Sequence, residues 1–261
     1  MGRIIVIANQ KGGVGKTTTS INTAACISEL GKKVLLIDVD PQGNCTTGLG
    51  IDKRALQQSV YHCIINEDDP NDITIQISEN LWLLPSSMAL AGAEVEMVNM
   101  IGREMLLKAV IAKIRDEYDF IMIDAPPSLG LLTINALSAA DEVIVPIQCE
   151  FYALEGLTQL MNSIQLVKKH LNPALELEGV VLTMFDGRTN LSIQVVEEVK
   201  KYFKGKVHSA IIPRNVRLSE APSHGLPISQ YDKKCAGAAA YADLAQEILE
   251  MEEEELSLIH I

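Results

Sequence analysis

A glycine-rich loop near the N-terminus carries two lysines in a pattern suited to phosphate binding. Its residues, 10–18, read Gln-Lys-Gly-Gly-Val-Gly-Lys-Thr-Thr. Glycines lack a Cβ atom, so the backbone can adopt left-handed conformations and point successive N–H groups at phosphate oxygens. The common phosphate-loop pattern has glycine where this chain has Gln10, and it carries a single lysine. The sequence therefore predicts a variant loop with an additional cation. The predicted phosphate contacts are Lys11, Gly12, Gly13, Val14, Gly15, Lys16, Thr17 and Thr18.

Within this loop, three side chains have chemistry that a bound nucleoside triphosphate would use. Lys16 can reach the β- and γ-phosphates, the Thr17 hydroxyl can ligate Mg²⁺, and Thr18 can donate to an outer phosphate oxygen. An apolar run of strand length precedes the loop, and a helical pattern from Thr17 to Leu30 follows it. A glycine-rich turn with a surface lysine is the simpler interpretation, but this strand, loop and helix context disfavours it.

Acidic residues follow two of the apolar runs, where the strands of an α/β sheet bind ligands. Asp38 and Asp40 follow the run 34–37, and Asp124 follows the run 120–123. Asp124 has the form of an acid that holds Mg²⁺ directly or through water. Asp38 and Asp40 alternate along an extended segment, so only one of them can face a nucleotide squarely. We expect Asp40 to orient the attacking water and retain Asp38 as a possible magnesium ligand. Helix capping is the alternative role for such acids.

The elements that position these residues predict a doubly wound, mainly parallel α/β sheet with helices on both faces. Segments long enough for helices separate most of the apolar strand-like runs. We expect one domain over residues 1–251 and a disordered acidic tail over residues 252–261. The predicted strands are 4–8, 34–37, 81–84, 120–123, 143–147, 177–183 and 207–212.

Three motifs together resemble the ParA/Soj branch of the deviant Walker A ATPases. They are the loop at 11–17, the Asp-Val-Asp-Pro-Gln-Gly-Asn stretch at 38–44 and the Asp-Ala-Pro-Pro-Ser stretch at 124–128. The likeness extends over roughly residues 2 to 250, through segments 129–136, 150–156 and 212–225. The resemblance implies a P-loop NTPase that binds ATP and Mg²⁺ and closes as a sandwich homodimer. It also implies that Lys11 crosses to the partner subunit's nucleotide, as an arginine finger does.

The resemblance further implies adenine contacts from Pro213 and Asn215. Asn215 could instead be a turn residue, because asparagine suits turns for local hydrogen-bonding reasons. The sequence leaves both interpretations open.

The overall charge of the chain and its distribution along the sequence favour different conclusions about DNA binding. The net charge of −12 provides no overall attraction to a polyphosphate. Residues 161–234, however, hold 11 Lys and Arg against 7 Asp and Glu, whereas the rest of the chain holds 11 against 27. This pattern alone favours a solvated surface of mixed charge. The resemblance shifts the balance, since it implies nonspecific binding of double-stranded DNA by ATP-bound dimers. The candidate DNA contacts are Arg188, Lys200, Lys204 and Arg217.

Together these observations predict a slow ATPase that a centromere-binding protein of the ParB type stimulates during chromosome or plasmid partitioning. We expect a cytoplasmic, nucleoid-associated protein without membrane contact, because no signal peptide is evident and residues 252–255 are four glutamates. The five cysteines form no C-x-x-C pair, which disfavours an iron–sulfur carrier. A cargo-positioning ATPase with little DNA contact is the alternative function. A small-molecule ligase or kinase is a third possibility.

Overall fold

A computed structural model describes residues 1–151, 153 and 157–259 of the chain, with side chains described as far as residue 251. Residues 152 and 154–156 of the family-like segment 150–156 therefore lie outside the described part, as do residues 260–261 of the predicted tail. Within the described residues, eight strands form one sheet. The strands are β1 (Arg3–Ile7), β2 (Val34–Asp38), β3 (Ile75–Ser78), β4 (Leu81–Leu84), β5 (Phe120–Asp124), β6 (Glu142–Gln148), β7 (Glu176–Phe185) and β8 (Val207–Pro213).

Helices cover both faces of this sheet, and most of them follow a strand. They are α1 (Lys16–Glu29), α2 (Asn44–Gly48), α3 (Val60–Ile65), α4 (Pro70–Ile73), α5 (Leu90–Met97), α6 (Leu106–Ala112), α7 (Leu131–Ala139), α8 (Leu157–His170), α9 (Asn190–Phe203), α10 (Val216–Glu220), α11 (Ile228–Tyr231) and α12 (Ala236–Ile259). In the described part of the chain, none of the helices is both long and apolar enough to span a bilayer.

The strand order is β3-β4-β2-β5-β1-β6-β7-β8, and every neighbouring pair is parallel except β3–β4. This confirms the predicted fold class and places all seven predicted strands. The analysis of the sequence missed β3, a four-residue edge strand. Its sequence, Ile-Gln-Ile-Ser, is too short and too polar to stand out as an apolar run.

The central strands are buried on both sides because helices pack against each face. Along β5, Ile121 and Ile123 belong to one hydrophobic cluster, whereas Phe120 and Met122 belong to the cluster on the opposite face. Successive side chains of a strand point to opposite faces, so an apolar run of this kind is what a doubly covered sheet requires. The acid at the end of the run, Asp124, is thereby held at the carboxyl edge of the sheet.

The last helix, α12, crosses the domain boundary predicted at residue 251 and continues to Ile259. The predicted disordered tail is therefore replaced by helix as far as that residue. Glutamate and leucine are strong helix formers, which accounts for the difference. In the second turn of the helix, the buried Tyr241 hydroxyl lies 3.2 Å from the Thr19 hydroxyl of α1.

A charged triad joins α12 to the edge of the sheet. His208 Nε2 lies 2.7 Å from Glu178 Oε2, and His208 Nδ1 lies 3.1 Å from Glu247 Oε2. The Glu247 carboxylate also accepts the main-chain N–H groups of Ser209 and Ala210. These residues lie where the register of β8 against β7 shifts, so the carboxylate satisfies two N–H groups at an irregularity of an edge strand.

Candidate functional site

The glycine-rich loop connects β1 to α1 at the carboxyl edge of the sheet. Gly13 and Gly15 have φ angles of +74° and +91°, the left-handed region that side chains rarely adopt. A Cβ atom at Gly12 or Gly13 would meet nothing within 4 Å, so the loop faces open space there. The loop therefore forms a concave backbone surface at the N-terminus of a helix, the arrangement that binds phosphate.

Side chains at the ends of β1 and β7 fix this loop to the sheet. Asn9 donates through Nδ2 to the Pro146 carbonyl of β6, 2.7 Å away, and accepts the Lys11 N–H at 3.0 Å. Thr183, near the end of β7, donates its hydroxyl to the Val14 carbonyl at 2.8 Å. These contacts come from strands on one side of β1, so the loop conformation is imposed by the sheet as well as by its glycines.

Lys16 lies largely buried at the first turn of α1, and its Nζ donates to the Lys11 carbonyl at 3.1 Å. Burial lowers the pKa of the Lys16 ammonium, although the charges of Asp124 and Asp40 oppose that effect. An anion placed against the loop would offset the cost of burying this cation. The geometry thus gives Lys16 the position that phosphate binding requires.

Asp124 lies opposite the start of α1 and accepts two hydroxyl hydrogen bonds. Thr17 Oγ1 donates to Oδ2 at 2.8 Å, and Ser20 Oγ donates to Oδ1 at 2.8 Å. Burial raises the pKa of Asp124 to about 7, and the nearby Asp38 charge adds to the effect. A buried carboxylate paired with a hydroxyl is a suitable pair of oxygen ligands for Mg²⁺.

Asp40 and Asp38 point to different surroundings, as their alternation predicted. Asp40 lines a cavity of about 550 Å³ together with the loop glycines, Lys16 and Thr17. Asp38 is fully buried and accepts hydrogen bonds from the Thr46 N–H and hydroxyl at 2.8 and 2.7 Å and from the Asp40 N–H at 3.1 Å. These contacts favour the interpretation in which Asp38 faces away from a nucleotide and supports the backbone that carries Asp40.

Thr46 and Ser86 extend this network. Thr46 Oγ1 accepts the Ser86 N–H at 2.9 Å, and the Ser86 hydroxyl donates to the Asp40 carbonyl at 2.7 Å. All of these groups are buried. Asp40 is therefore held from both β2 and the segment that follows β4.

A second cavity, of about 350 Å³, adjoins the loop through Gly15 and Thr18. Pro213 and Asn215 line it, as does Tyr241. Asn215 Oδ1 also accepts the Arg217 N–H at 2.8 Å and so caps α10. The turn interpretation of Asn215 therefore fits the geometry, and its side-chain amide nitrogen remains as a donor for a ligand. Both cavities together are large enough for a nucleotide, with the phosphates at the loop.

The four candidate DNA contacts fall into two groups. Arg188 follows β7 and Arg217 follows β8, so both lie at the carboxyl edge of the sheet. Lys200 and Lys204 lie at the far end of α9, roughly 20 Å along the helix from Arg188. Arg188 is 87% exposed and forms a two-point ion pair with Asp186, at 2.8 and 2.7 Å. Arg217 pairs with Glu220 at 2.8 Å.

Several residues of the site were not predicted from the sequence. They are Asn9, Ser20, Thr46, Ser86 and Thr183. All five make contacts with residues from 40 to 169 positions away. Ser20 had a local signal, because it lies one helical turn after Lys16 on the side that faces Asp124. The others carry no signal that distinguishes them from ordinary polar residues.

Comparisons with known proteins show which proteins this chain is similar to. A family model described as an AAA domain (AAA_31) matches residues 2–177. The chain is 59% identical over 249 residues to the sporulation initiation inhibitor protein Soj of Bacillus subtilis, covering 95% of this chain and 98% of that protein. It is 52% identical to the chromosome partitioning protein ParA of Myxococcus xanthus, covering 95% and 88%.

Among solved structures, the chain resembles cobyrinic acid a,c-diamide synthase from Mycobacterium smegmatis with bound ADP and magnesium. The TM-score is 0.87 and the identity 38%, over 97% of this chain and 96% of that one. The fold, the variant loop and the two curated relatives lead to the same conclusion. The chain belongs to the ParA/Soj family of chromosome-partitioning ATPases.

Proposed function

We propose that this protein is a Mg²⁺-dependent ATPase whose ATP-bound homodimer binds DNA nonspecifically and drives chromosome or plasmid partitioning. The observation that carries the ATPase proposal is the hydrogen bond from Thr17 to Asp124 beside a phosphate loop with two lysines. The M. smegmatis structure holds ADP and magnesium on a similar fold, which supports the same assignment.

Each residue of the site has a distinct part in this proposal. The backbone N–H groups of residues 12–17 bind the phosphates, and the Lys16 ammonium balances the charge that develops on them. Thr17 and Asp124 would hold Mg²⁺, which would neutralise phosphate charge. Asp40 lines the same cavity and would orient the attacking water. Asp38 supports Asp40 from behind through their shared hydrogen bond.

Lys11 would act across the dimer interface. Its N–H is bound by Asn9 and its carbonyl by Lys16, so the backbone from which its side chain projects is fixed. A cation held in this way can reach the phosphates of a second subunit at little conformational cost. The ATP-dependent homodimer would then be the active form, and hydrolysis would release it.

DNA binding would depend on basic residues summed over the two subunits. Arg188 and Arg217 lie at the same edge of the sheet as the phosphate loop, so a nucleotide-dependent dimer would bring two copies of this edge into one assembly. We further propose that a ParB-type centromere-binding protein stimulates the slow hydrolysis. The protein would then act in the cytoplasm, at the nucleoid.

The decisive experiment measures ATP hydrolysis and DNA retention together. ATPase activity is followed with and without unrelated duplex DNA and the N-terminal segment of the partner, and gel shifts are run with ATP, with ADP and without nucleotide. We expect DNA retention only with ATP and stimulation by the partner segment. ATP hydrolysis without any DNA retention would favour a cargo-positioning ATPase instead.

The M. smegmatis neighbour supports one further candidate, a ligase that activates a corrinoid carboxylate with ATP. Its identity to this chain, 38%, is well below the 59% of the Soj relative. Incubation with cobyrinic acid, glutamine and ATP tests this candidate directly. Formation of an amidated product would favour the ligase over the partitioning ATPase.

A further inference from the structure

Helix α5 has apolar residues on two faces, and only one of them packs against the protein. Leu90, Ala93 and Met97 are fully buried in the core. On the other side of α5 and in the turns that flank it, large apolar side chains are exposed to solvent: Met88 by 60%, Val95 by 74%, Val98 by 50% and Ile101 by 100%. With the exposed Ala91, these four residues are named the α5 face. Exposed apolar residues grouped in this way mark an interaction site more often than chance.

The spacing of the α5 face indicates what kind of structure it fits. Residues 88, 91, 95 and 98 follow one another at intervals of three, four and three. This is the interval at which a helix presents a continuous apolar stripe to a second helix. Helical backbone angles extend from the cap residue Ala89 to the cap residue Val98, so Ala91, Val95 and Val98 lie on one stripe and Met88 directly precedes it.

The charges beside the stripe select the partner's charge. Glu94 and Glu96 lie on the same helix, and Glu104 follows shortly after it. Arg103, which follows the helix, is already paired with Glu104 at 3.0 Å. The surroundings of the α5 face are therefore acidic, and a partner with basic residues at its edges would be favoured.

We propose that the α5 face binds an amphipathic helix with basic flanks, supplied by another protein. The apolar stripe of that helix would pack along Met88, Val95 and Val98, and its lysines or arginines would meet Glu94 and Glu96. This is recognition of a helix by an apolar groove or face, with charge setting the orientation.

The location of the α5 face also connects it to the site. Ser86, two residues before Met88, binds the Asp40 carbonyl. Glu94 Oε1 accepts the Leu132 N–H at the start of α7, 3.5 Å away, and α7 begins soon after Asp124. A helix docked here would therefore contact α5, which lies near both Asp40 and Asp124. This coupling rests on the proposed function, whereas the docking itself does not.

The test uses two synthetic peptides of about 20 residues, each a helix with leucines at three- and four-residue intervals. One carries lysines beside the leucines and the other carries glutamates. Binding to the full chain without nucleotide is measured by fluorescence anisotropy. We expect the lysine peptide to bind at least about tenfold more tightly than the glutamate peptide. The double variant Val95→Ser, Ile101→Ser should bind the lysine peptide about tenfold more weakly than the parent does.

The matched control is Leu166→Ser, which removes an exposed apolar residue (59%) from α8. It should leave peptide binding unchanged, and circular dichroism of all variants should match the parent. Equal binding of both peptides, no binding, or unaltered binding by the Val95 and Ile101 variant would overturn the proposal. Two other results would also overturn it. One is a parent protein that is dimeric without nucleotide and becomes monomeric in the variant, and the other is a parent protein that co-sediments with anionic vesicles when the variant does not. ATP is absent throughout, so a failed ATPase assignment leaves the result interpretable.

Discussion

The hydroxyl of Ser86 donates a hydrogen bond of 2.7 Å to the main-chain carbonyl of Asp40. Ser86 is in turn bound through its N–H by Thr46, whose hydroxyl donates to Asp38. Two strand ends are thereby joined beneath the residue that we expect to orient water. The position of Asp40 depends on hydroxyl groups that do not themselves line the phosphate cavity.

Replacement of Ser86 by alanine should lower kcat about tenfold and change nucleotide affinity little, because small displacements of a positioning group cost rate more than binding. Steady-state ATPase assays and nucleotide titration separate the two effects.

Thr46→Val should act in the same direction and also lower the free energy of unfolding by about 2 kcal/mol, since buried Asp38 loses a donor. Thr46→Ser, which keeps the hydroxyl, serves as the control. Equal kcat in the serine and valine variants would contradict this role.

Replacing each of the two lysines of the phosphate loop should remove a different property of the protein. Lys16→Ala should abolish nucleotide binding, because its ammonium lies at the start of α1 beside the loop. Lys11→Ala should still bind ATP but should not dimerise, and hydrolysis should fall by about 100-fold or more. Light scattering with ATP and equilibrium nucleotide binding measure these properties. A Lys11→Ala protein that pairs normally and hydrolyses ATP at the parental rate would remove the basis of the proposed dimer.

Charge reversal at Arg188 should abolish ATP-dependent retention of DNA while ATP binding survives. Each lost phosphate contact should also reduce the slope of log affinity against log salt by about 0.9. Lys204→Glu makes the same change in charge at the opposite end of α9, and it should weaken DNA binding less. Asp186→Asn should strengthen binding, because it releases Arg188 from its ion pair. Filter binding over a range of salt concentrations decides between these outcomes. DNA binding that survives in Arg188→Glu would exclude this residue.

The His208 triad predicts a stability that falls as pH rises. Burial alone would lower the His208 pKa, but the hydrogen bonds and charges of Glu178 and Glu247 outweigh it and raise the pKa above its usual value. The stabilisation is therefore complete below the unfolded pKa of about 6.5 and is lost as pH rises through the raised folded value. Urea unfolding at successive pH values above about 7 measures the loss. His208→Gln should flatten this dependence.

Two buried carboxyl groups titrate close to the lower end of that pH range. Asp38 and Asp124 have pKa values raised to about 6 and about 7 by burial, and raised carboxyl pKa values also reduce stability as pH rises. Their contribution overlaps the start of the His208 contribution, which begins near the unfolded pKa of about 6.5, so the comparison with His208→Gln is needed to isolate the triad. A pH dependence identical in the parent and His208→Gln proteins would show that the triad adds none.

The fold was predictable because burial on both faces leaves a plain mark on a sequence. Val34–Asp38 and Phe120–Asp124 are apolar runs that end in an acid, and both proved to be central strands with the acid at the carboxyl edge. The strand β3 lacked such an apolar run, since an edge strand needs few apolar residues. The helical continuation to Ile259 was missed because the run of acidic residues outweighed their helix propensity in the prediction.

The site was predictable only where local sequence determines it. Glycines at loop positions and the spacing of Lys16 and Thr17 follow from backbone geometry, and alternation along the strand anticipated that Asp38 and Asp40 would separate. The hydroxyl groups of Thr46, Ser86 and Thr183 could not be found this way. Their roles depend on which strands become neighbours, and the identity of a serine or threonine does not indicate which distant residue it will bind.

The contact between Thr19 and Tyr241 joins residues 222 positions apart. Because synthesis runs from the N-terminal side, the phosphate loop leaves the ribosome well before Tyr241 of the helix that packs against α1. A nascent chain that has not yet exposed Tyr241 therefore holds the loop without this support and without the wall that Tyr241 provides to the neighbouring cavity. Full competence to capture ATP should therefore arise only after α12 has left the ribosome and packed against α1, so shorter nascent chains would not enter the partitioning cycle prematurely.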